Sequence, residues 1–429
     1  MAETETEKIY ELLKRNVVPS LGCTDPITPA LGAAIAYNEI KGALKSVELI
    51  VSNDTFKGAE GVILPGTKET GLVFAVMFGI AAGKPEKGLM LLEDFTQHQV
   101  EEAKKMAEDI PVVVTADPQK ERVYIEVTVG TDKGSATVIF KGHRETPVYL
   151  AANGRVIIDR PEEERVGYGN KLEFFDGCSI SRLYNFADNA RVDDLRFLQA
   201  GIDMNKKVAD AGIGGSYGLS TGALLDKLFV RGGCESLYFK MKSKSSAAGD
   251  VRMGGGALPV MSVFGSGNQG AVIFNGLTVL KEERGATDEA LLKGLCLSCL
   301  LSGYLNRLLG EGTPFCDCAI IAAVSLSGGM AYMLGGSARE VENAAQMTFG
   351  ALAGILCDGA KPNCAQKISL GVGTAAENAL LSLEMGGDIP KDGILENSFE
   401  DTVKNLARIG KAIRTSVETD IVDILKNKE

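Results

Sequence analysis

Near residue 190 the chain changes its pattern, and that change constrains the fold more than any other feature. From about Ser46 to Asp159, short apolar runs alternate with polar residues. Val47-Glu48-Leu49-Ile50-Val51 opens this region, and Arg122 to Val129 and Ala136 to Phe140 repeat with period two, as half-buried strands do. Gly130 to Gly134 reads as the hairpin turn between the last two, and the runs around Val148-Tyr149-Leu150 and Arg155 to Ile158 continue a meander about Asn153-Gly154. Helices near Leu72 to Ala82 and Thr96 to Glu108 interrupt it, and two more precede it, over about 4–17 and 26–37. After about Arg191 alanine, leucine and glycine dominate. Helices are predicted near 192–211, 218–231, 286–309, 318–334, 337–356, 364–386 and 398–425. The expectation is an α+β fold: a mixed α/β part with antiparallel strands, residues 1–188, packed on a mostly helical bundle, residues 189–429. The polar stretch from Pro161 to Asp188 carries no clear linker, so the two parts should pack closely.

A chain of 429 residues has ample core, and its net charge of -11 disfavours nucleic acid and anionic membranes as partners. Met1 to Lys8 is acidic and polar, unlike a signal or transit peptide, so the reducing cytoplasm is the expected compartment. Met253 to Leu280 and Cys318 to Ala338 carry no charge, but glycines and polar residues interrupt both, and buried core is the expectation. With two histidines, His98 and His143, a histidine-based metal site or a Ser-His-Asp hydrolase is disfavoured. His98 reads as surface, and Lys240, Lys242 and Lys244 as a solvated run.

Nine cysteines in a chain of this kind point to reduced thiols rather than disulfides. Cys23, in Gly22-Cys23-Thr24-Asp25-Pro26, precedes an apolar helix capped by Thr24 or Asp25. A thiol at a helix N-terminus should have a lowered pKa and act as a base or nucleophile; otherwise it is a small buried hydrophobe. Cys357 and Cys364 flank the turn-rich Asp358-Gly359-Ala360-Lys361-Pro362-Asn363, with one helix ending at Cys357 and another starting at Cys364. Such a helix–loop–helix can bring both sulfurs together. Cys316 and Cys318, two apart in an extended segment, would point the same way, so either can supply a third metal ligand. Both together would close the site; one alone would leave a Lewis-acid position open, and zinc competes with iron on chemistry alone. Cys296-Leu297-Ser298-Cys299 is a formal C-x-x-C inside an apolar helical run and reads as core, and Cys178 and Cys234 read as structural. Gly265-Ser266-Gly267-Asn268-Gln269-Gly270 can turn backbone N–H groups toward a carboxylate or phosphate, but no strand with a trailing acid follows, as a dinucleotide site requires. Arg252, beside Gly254-Gly255-Gly256, can clamp a carboxylate or cap a helix.

Together these motifs resemble the L-cysteine desulfidase family, relatives of the iron–sulfur L-serine dehydratases. The resemblance rests on Gly22 to Pro26, Gly265 to Gly270, Cys318-Ala319-Ile320-Ile321-Ala322-Ala323 and Cys357 to Cys364, in the family's order. It implies a [4Fe–4S] lyase that works without pyridoxal phosphate, with Cys318, Cys357 and Cys364 as cluster ligands and Cys23 as base. Asp317 stands where the family has glycine between its paired cysteines, which leaves Cys316 and Cys318 competing for one place. The expected substrate is a small amino acid, its carboxylate held by Ser266, Gly267, Asn268, Gln269 and Arg252, with a homo-oligomer left open. The alternatives are an L-serine dehydratase, a non-enzymatic metal or redox sensor, and a structural zinc protein.

Overall fold

The computed structural model describes residues 5–142, 144–160, 168–233, 236–310 and 314–428. His143 and Cys234, part of the 161–188 boundary and Thr313 therefore lie outside the described residues. Among the described residues the strands are β1 (Val17–Ser20), β2 (Leu44–Ser52), β3 (Val112–Asp117), β4 (Tyr124–Thr131), β5 (Gly134–Lys141), β6 (Tyr149–Ala152), β7 (Arg155–Asp159) and β8 (Val260–Val263). Six of them form one sheet in the order β3-β2-β4-β5-β6-β7.

The meander expected from the alternating runs is present as antiparallel β4 to β7, with β2 antiparallel to β4. The hairpin is tighter than the sequence suggested: Thr131 pairs with Gly134, leaving two residues in the turn. Asn153 and Gly154 both take positive φ, 50° and 77°, as a two-residue hairpin turn requires. The departure is β3, which pairs parallel to β2. A parallel neighbour needs a crossover, and the helices Asn53–Glu60, Leu72–Ala82 and Gln97–Asp109 supply it.

Strand β4 buries every second residue, so one sheet face is covered. The helix Thr24–Ile40 covers it, coming so close that a Cβ at Gly32 would meet Val127 at 2.8 Å. The helix Leu72–Ala82 crosses that helix at Gly79, where a Cβ would meet the Ala30 carbonyl oxygen at 1.9 Å. Phe78 and Phe140 are fully buried in this core. Truncating either to alanine costs ~3–5 kcal/mol on the usual scale.

The second half is helical, with Gly267–Arg284, Asp288–Leu309 and Ile321–Met333 at its centre. Gly267 to Leu280 is buried without a gap, which accounts for the long uncharged stretch. Among the described residues no helix is long and apolar enough to cross a membrane. The segment expected as one helix over 218–231 is two short pieces, Thr221–Leu225 and Asp226–Val230.

The chain ends cross over. The first helix, Glu5–Asn16, packs Ile9, Tyr10 and Leu13 into the helical core. The last helix, Phe399–Lys426, starts in that core with Phe399, Val403 and Leu406 and ends with Val422 in the core of the sheet. Strands β1 and β8 also pair antiparallel, so the segment just before Cys23 is tied to the segment just before Gly265.

Candidate active site between the sheet and the helical body

The local backbone explains why distant cysteines meet. The helix expected to reach Cys357 ends at Leu352, so Cys357 lies beyond it in a short extended segment. There the Cys316 amide donates to the Ile355 carbonyl at 2.9 Å and the Cys357 amide to the Pro314 carbonyl at 2.8 Å. These two bonds staple the Cys316 segment to the Cys357 segment. Cys316 and Cys318 do not lie in an extended stretch, as their spacing suggested. The Ala319 and Ile320 amides both donate to the Cys316 carbonyl, and this turn sets the two sulfurs 3.2 Å apart. Cys364 opens the helix Cys364–Glu384. Gly359, at φ 98°, makes the turn between Cys357 and Cys364, where a side chain would be strained and would strike the Lys57 carbonyl.

All four thiols line one cavity of about 350 Å³, and so do Cys23, Arg252, Ser266, Asn268 and Gln269. Of the residues predicted from sequence only Gly267 stands behind the wall, where its missing side chain makes room: a Cβ would meet the Arg252 Nε at 2.2 Å. The loop expected over 265–270 is the first turn of the helix Gly267–Arg284, with Ser266 as its cap and the Ser266 oxygen accepting from the Gln269 amide. Gly270 allows close contact with β8, since a Cβ there would meet the Met261 carbonyl oxygen at 1.8 Å.

Arg252 is 4% exposed, donates to the Asn268 Oδ1 at 3.0 Å, and has no partner at Nε. The other charged donors of the wall have acids. Arg122 pairs with Asp317 at 3.1 Å, Arg144 with Asp25, Arg307 with Asp176, and Lys57 with Asp54 and Glu418. A buried guanidinium without a carboxylate beside a cavity is an anion receptor in waiting.

Cys23 is itself the N-cap of Thr24–Ile40, in place of the expected Thr24 or Asp25, and its side chain makes no capping bond. Asp25 sits in the first turn, its carboxylate 3.7 Å from the Cys23 sulfur and paired with Arg144. Burial, with the Asp25 carboxylate adding to it, pushes the Cys23 thiol up to about 12. The lowered pKa expected from the helix end is therefore overturned: desolvation outweighs the dipole and the nearby Arg252 and Arg144. Among the late cysteines, the hydrogen bond from Cys318, with Lys361 and Lys367 nearby, holds Cys364 down at about 6 against its burial, while burial pushes Cys357 up to about 12. Cys296 and Cys299 are fully buried in the helix Asp288–Leu309, as core.

The donors offered are soft sulfurs, which suit iron–sulfur ligation. Among the described residues no group of three or more His, Cys, Asp or Glu side chains could hold a metal ion. Cys316 and Cys318, 3.2 Å apart, share one cavity with Cys357 and Cys364, so four sulfurs stand around one space without forming a single-ion site. Sequence reasoning did not find Lys57, Arg122 or Arg144. Their acid partners lie as far away as Asp317 and Glu418, and no local pattern marks them.

A thiol-rich cavity roofed by a glycine-led helix and a buried arginine is the setting in which the family match places a lyase-type enzyme. A family model described as serine dehydratase alpha chain matches residues 86–423, and this chain belongs to that family. The match takes in the late cysteines, Arg252 and the 265–270 segment, and stops short of Cys23. Relatives span the whole chain. A UPF0597 protein of Bacteroides fragilis is 34% identical over 432 residues, covering 100% of both chains. One from Bacteroides thetaiotaomicron is 34% identical over 435 residues, covering 100% of this chain and 99% of its own. One from Caldanaerobacter subterraneus subsp. tengcongensis is 35% identical over 425 residues, covering 98% of each.

Proposed function

We propose that this chain is a cytoplasmic, pyridoxal-phosphate-independent [4Fe–4S] lyase that converts L-cysteine to pyruvate, ammonia and sulfide. The observation that carries the proposal is the single cavity shared by Cys23, the late cysteines and an arginine without an acid partner. Cys318, Cys357 and Cys364 would hold the cluster. When bound, such a cluster supplies an open iron as a soft Lewis acid for a departing sulfur.

The remaining work falls to this chain's own residues. Arg252, with Ser266, Asn268 and Gln269 at the start of a long helix, would take the substrate carboxylate, and Gly267 leaves room for the Arg252 side chain. Since the other wall cations are already paired, the site suits a substrate with one carboxylate. Cys23, in the same cavity, would take the Cα proton. Its high pKa makes it a strong base once ionised, and the Arg252 and Arg144 charges favour that ionisation. Loss of the Cα proton and the β-substituent leaves an aminoacrylate, which water converts to pyruvate and ammonia.

A second reading, an L-serine dehydratase, is favoured by the matched family's description. Anaerobic reconstitution followed by parallel assays separates the two. Sulfide release from L-cysteine exceeding pyruvate formation from L-serine supports the first reading; the reverse ranking overturns it. If the protein takes up iron and sulfide but processes neither amino acid, the lyase assignment fails.

A further inference from the structure

A lysine with an ammonium buried beside thiols is an expensive object, and this cavity wall contains one. Lys57 is 3% exposed. It lies on the helix Asn53–Glu60, whose N-cap Ser52 accepts from the Thr55 amide. That helix packs directly on the Cys357–Cys364 turn: the Lys57 carbonyl lies 2.2 Å from where a Gly359 Cβ would be, and the Ala360 carbonyl 3.2 Å from a Gly61 Cβ. Its Nζ is held by Asp54 at 3.5 Å and by Glu418 at 3.8 Å. Glu418, 4% exposed, comes from the last helix, together with Arg414, which pairs with Asp54 at 2.9 Å and Glu418 at 3.2 Å. The four side chains are two cations and two anions, a neutral set.

Buried ion networks of this kind add little stability over apolar packing. Their placement is informative here, because Lys57 lines the same cavity as Cys357 and packs on the turn that follows it. Thiolates around an iron–sulfur group gather negative charge, and the charges and hydrogen bonds nearby set such a group's potential.

We propose that Lys57 is a positioning residue for that group, compensating the negative charge beside Cys357, and that the last helix sets this compensation through Glu418 and Arg414. The inference rests on the reading that Cys318, Cys357 and Cys364 hold an iron–sulfur cluster. Removing the cation should disfavour reduction of the cluster; removing a flanking anion should favour it.

The test is a redox titration of the anaerobically reconstituted full chain, followed by electron paramagnetic resonance, on wild type, Lys57→Met and Glu418→Gln. The midpoint should move to more negative values in K57M and to more positive values in E418Q, with iron retention in K57M weakened roughly tenfold or more. Opposite movements are the signature, since a merely structural role would move both variants the same way or neither. Circular dichroism of each variant reports folding, and if K57M does not fold, the positive shift in E418Q decides alone. Wild type that carries a cluster, with potentials unmoved in the folded variants, overturns this inference and leaves the ligand assignment standing. Wild type that takes up no iron and sulfide overturns both.

Discussion

Cys296 and Cys299 form one close pair of thiols in the helical body, and Cys316 and Cys318 form another. On paper the first resembles a metal or redox motif more than the second. In the fold the first pair is sealed inside the helix Asp288–Leu309, and burial raises both thiols well above their ordinary range, with Cys296 adding to the rise at Cys299. The second pair sits in a turn on a cavity wall, and the contact between its sulfurs lowers Cys316 despite its burial while raising Cys318. The difference teaches that spacing does not make a thiol available. What does so is a neighbouring donor and a cation, here Lys367, which also grips the Leu356 carbonyl at 2.7 Å.

The comparison can be broken most severely at the ligands. Cys357→Ala and Cys364→Ala should each abolish iron and sulfide uptake and reduce amino-acid turnover to background, read by metal analysis and a pyruvate assay. Retention of a full cluster in either would remove the distinction between the two kinds of thiol. Cys318→Ala should behave likewise, whereas Cys316→Ala should keep most of its iron; an exchange of these two results would move the third ligand to Cys316.

Arg252→Met should raise KM for the amino acid by roughly 10–100-fold, about 1.5–3 kcal/mol of charge-assisted hydrogen bonding. An unchanged KM would place the carboxylate elsewhere. Cys23 makes a pH prediction. With its thiol near 12, the thiolate fraction grows ~tenfold per pH unit throughout the neutral range, so kcat/KM should still be climbing at about pH 9. A plateau by pH 7 would mean that another group takes the Cα proton. The smallest effect is expected at the sealed pair: Cys296→Ala or Cys299→Ala should cost about 1 kcal/mol in a denaturation curve and leave iron content untouched.

Much of this was legible in the sequence. An apolar run marked β2 and period-two alternation marked β4 and β5, and Leu72 to Ala82 matches its helix at both ends. The helix Leu237–Met253 was not seen. Ser243, Ser245, Ser246, Asp250 and Arg252 are all buried along with its apolar residues, so no polar stripe exists to set a period. β3 escaped because a short parallel strand has no hairpin turn to announce it. The cysteine motifs pointed to one site, but their backbone did not follow from spacing: Cys357 lies past its helix, and Cys316 and Cys318 occupy a turn. The pKa of Cys23 was misread because a motif shows a helix end and not the depth at which it is buried. The Asp54, Lys57, Arg414 and Glu418 set joins residues from opposite ends of the chain, which no local pattern encodes.

The crossed ends of the chain bear on how the molecule is made. The helical core encloses the helix Glu5–Asn16, and the sheet core includes Val422. During synthesis, the helical core cannot be completed before Leu406 has left the ribosome, nor the sheet core before Val422 has.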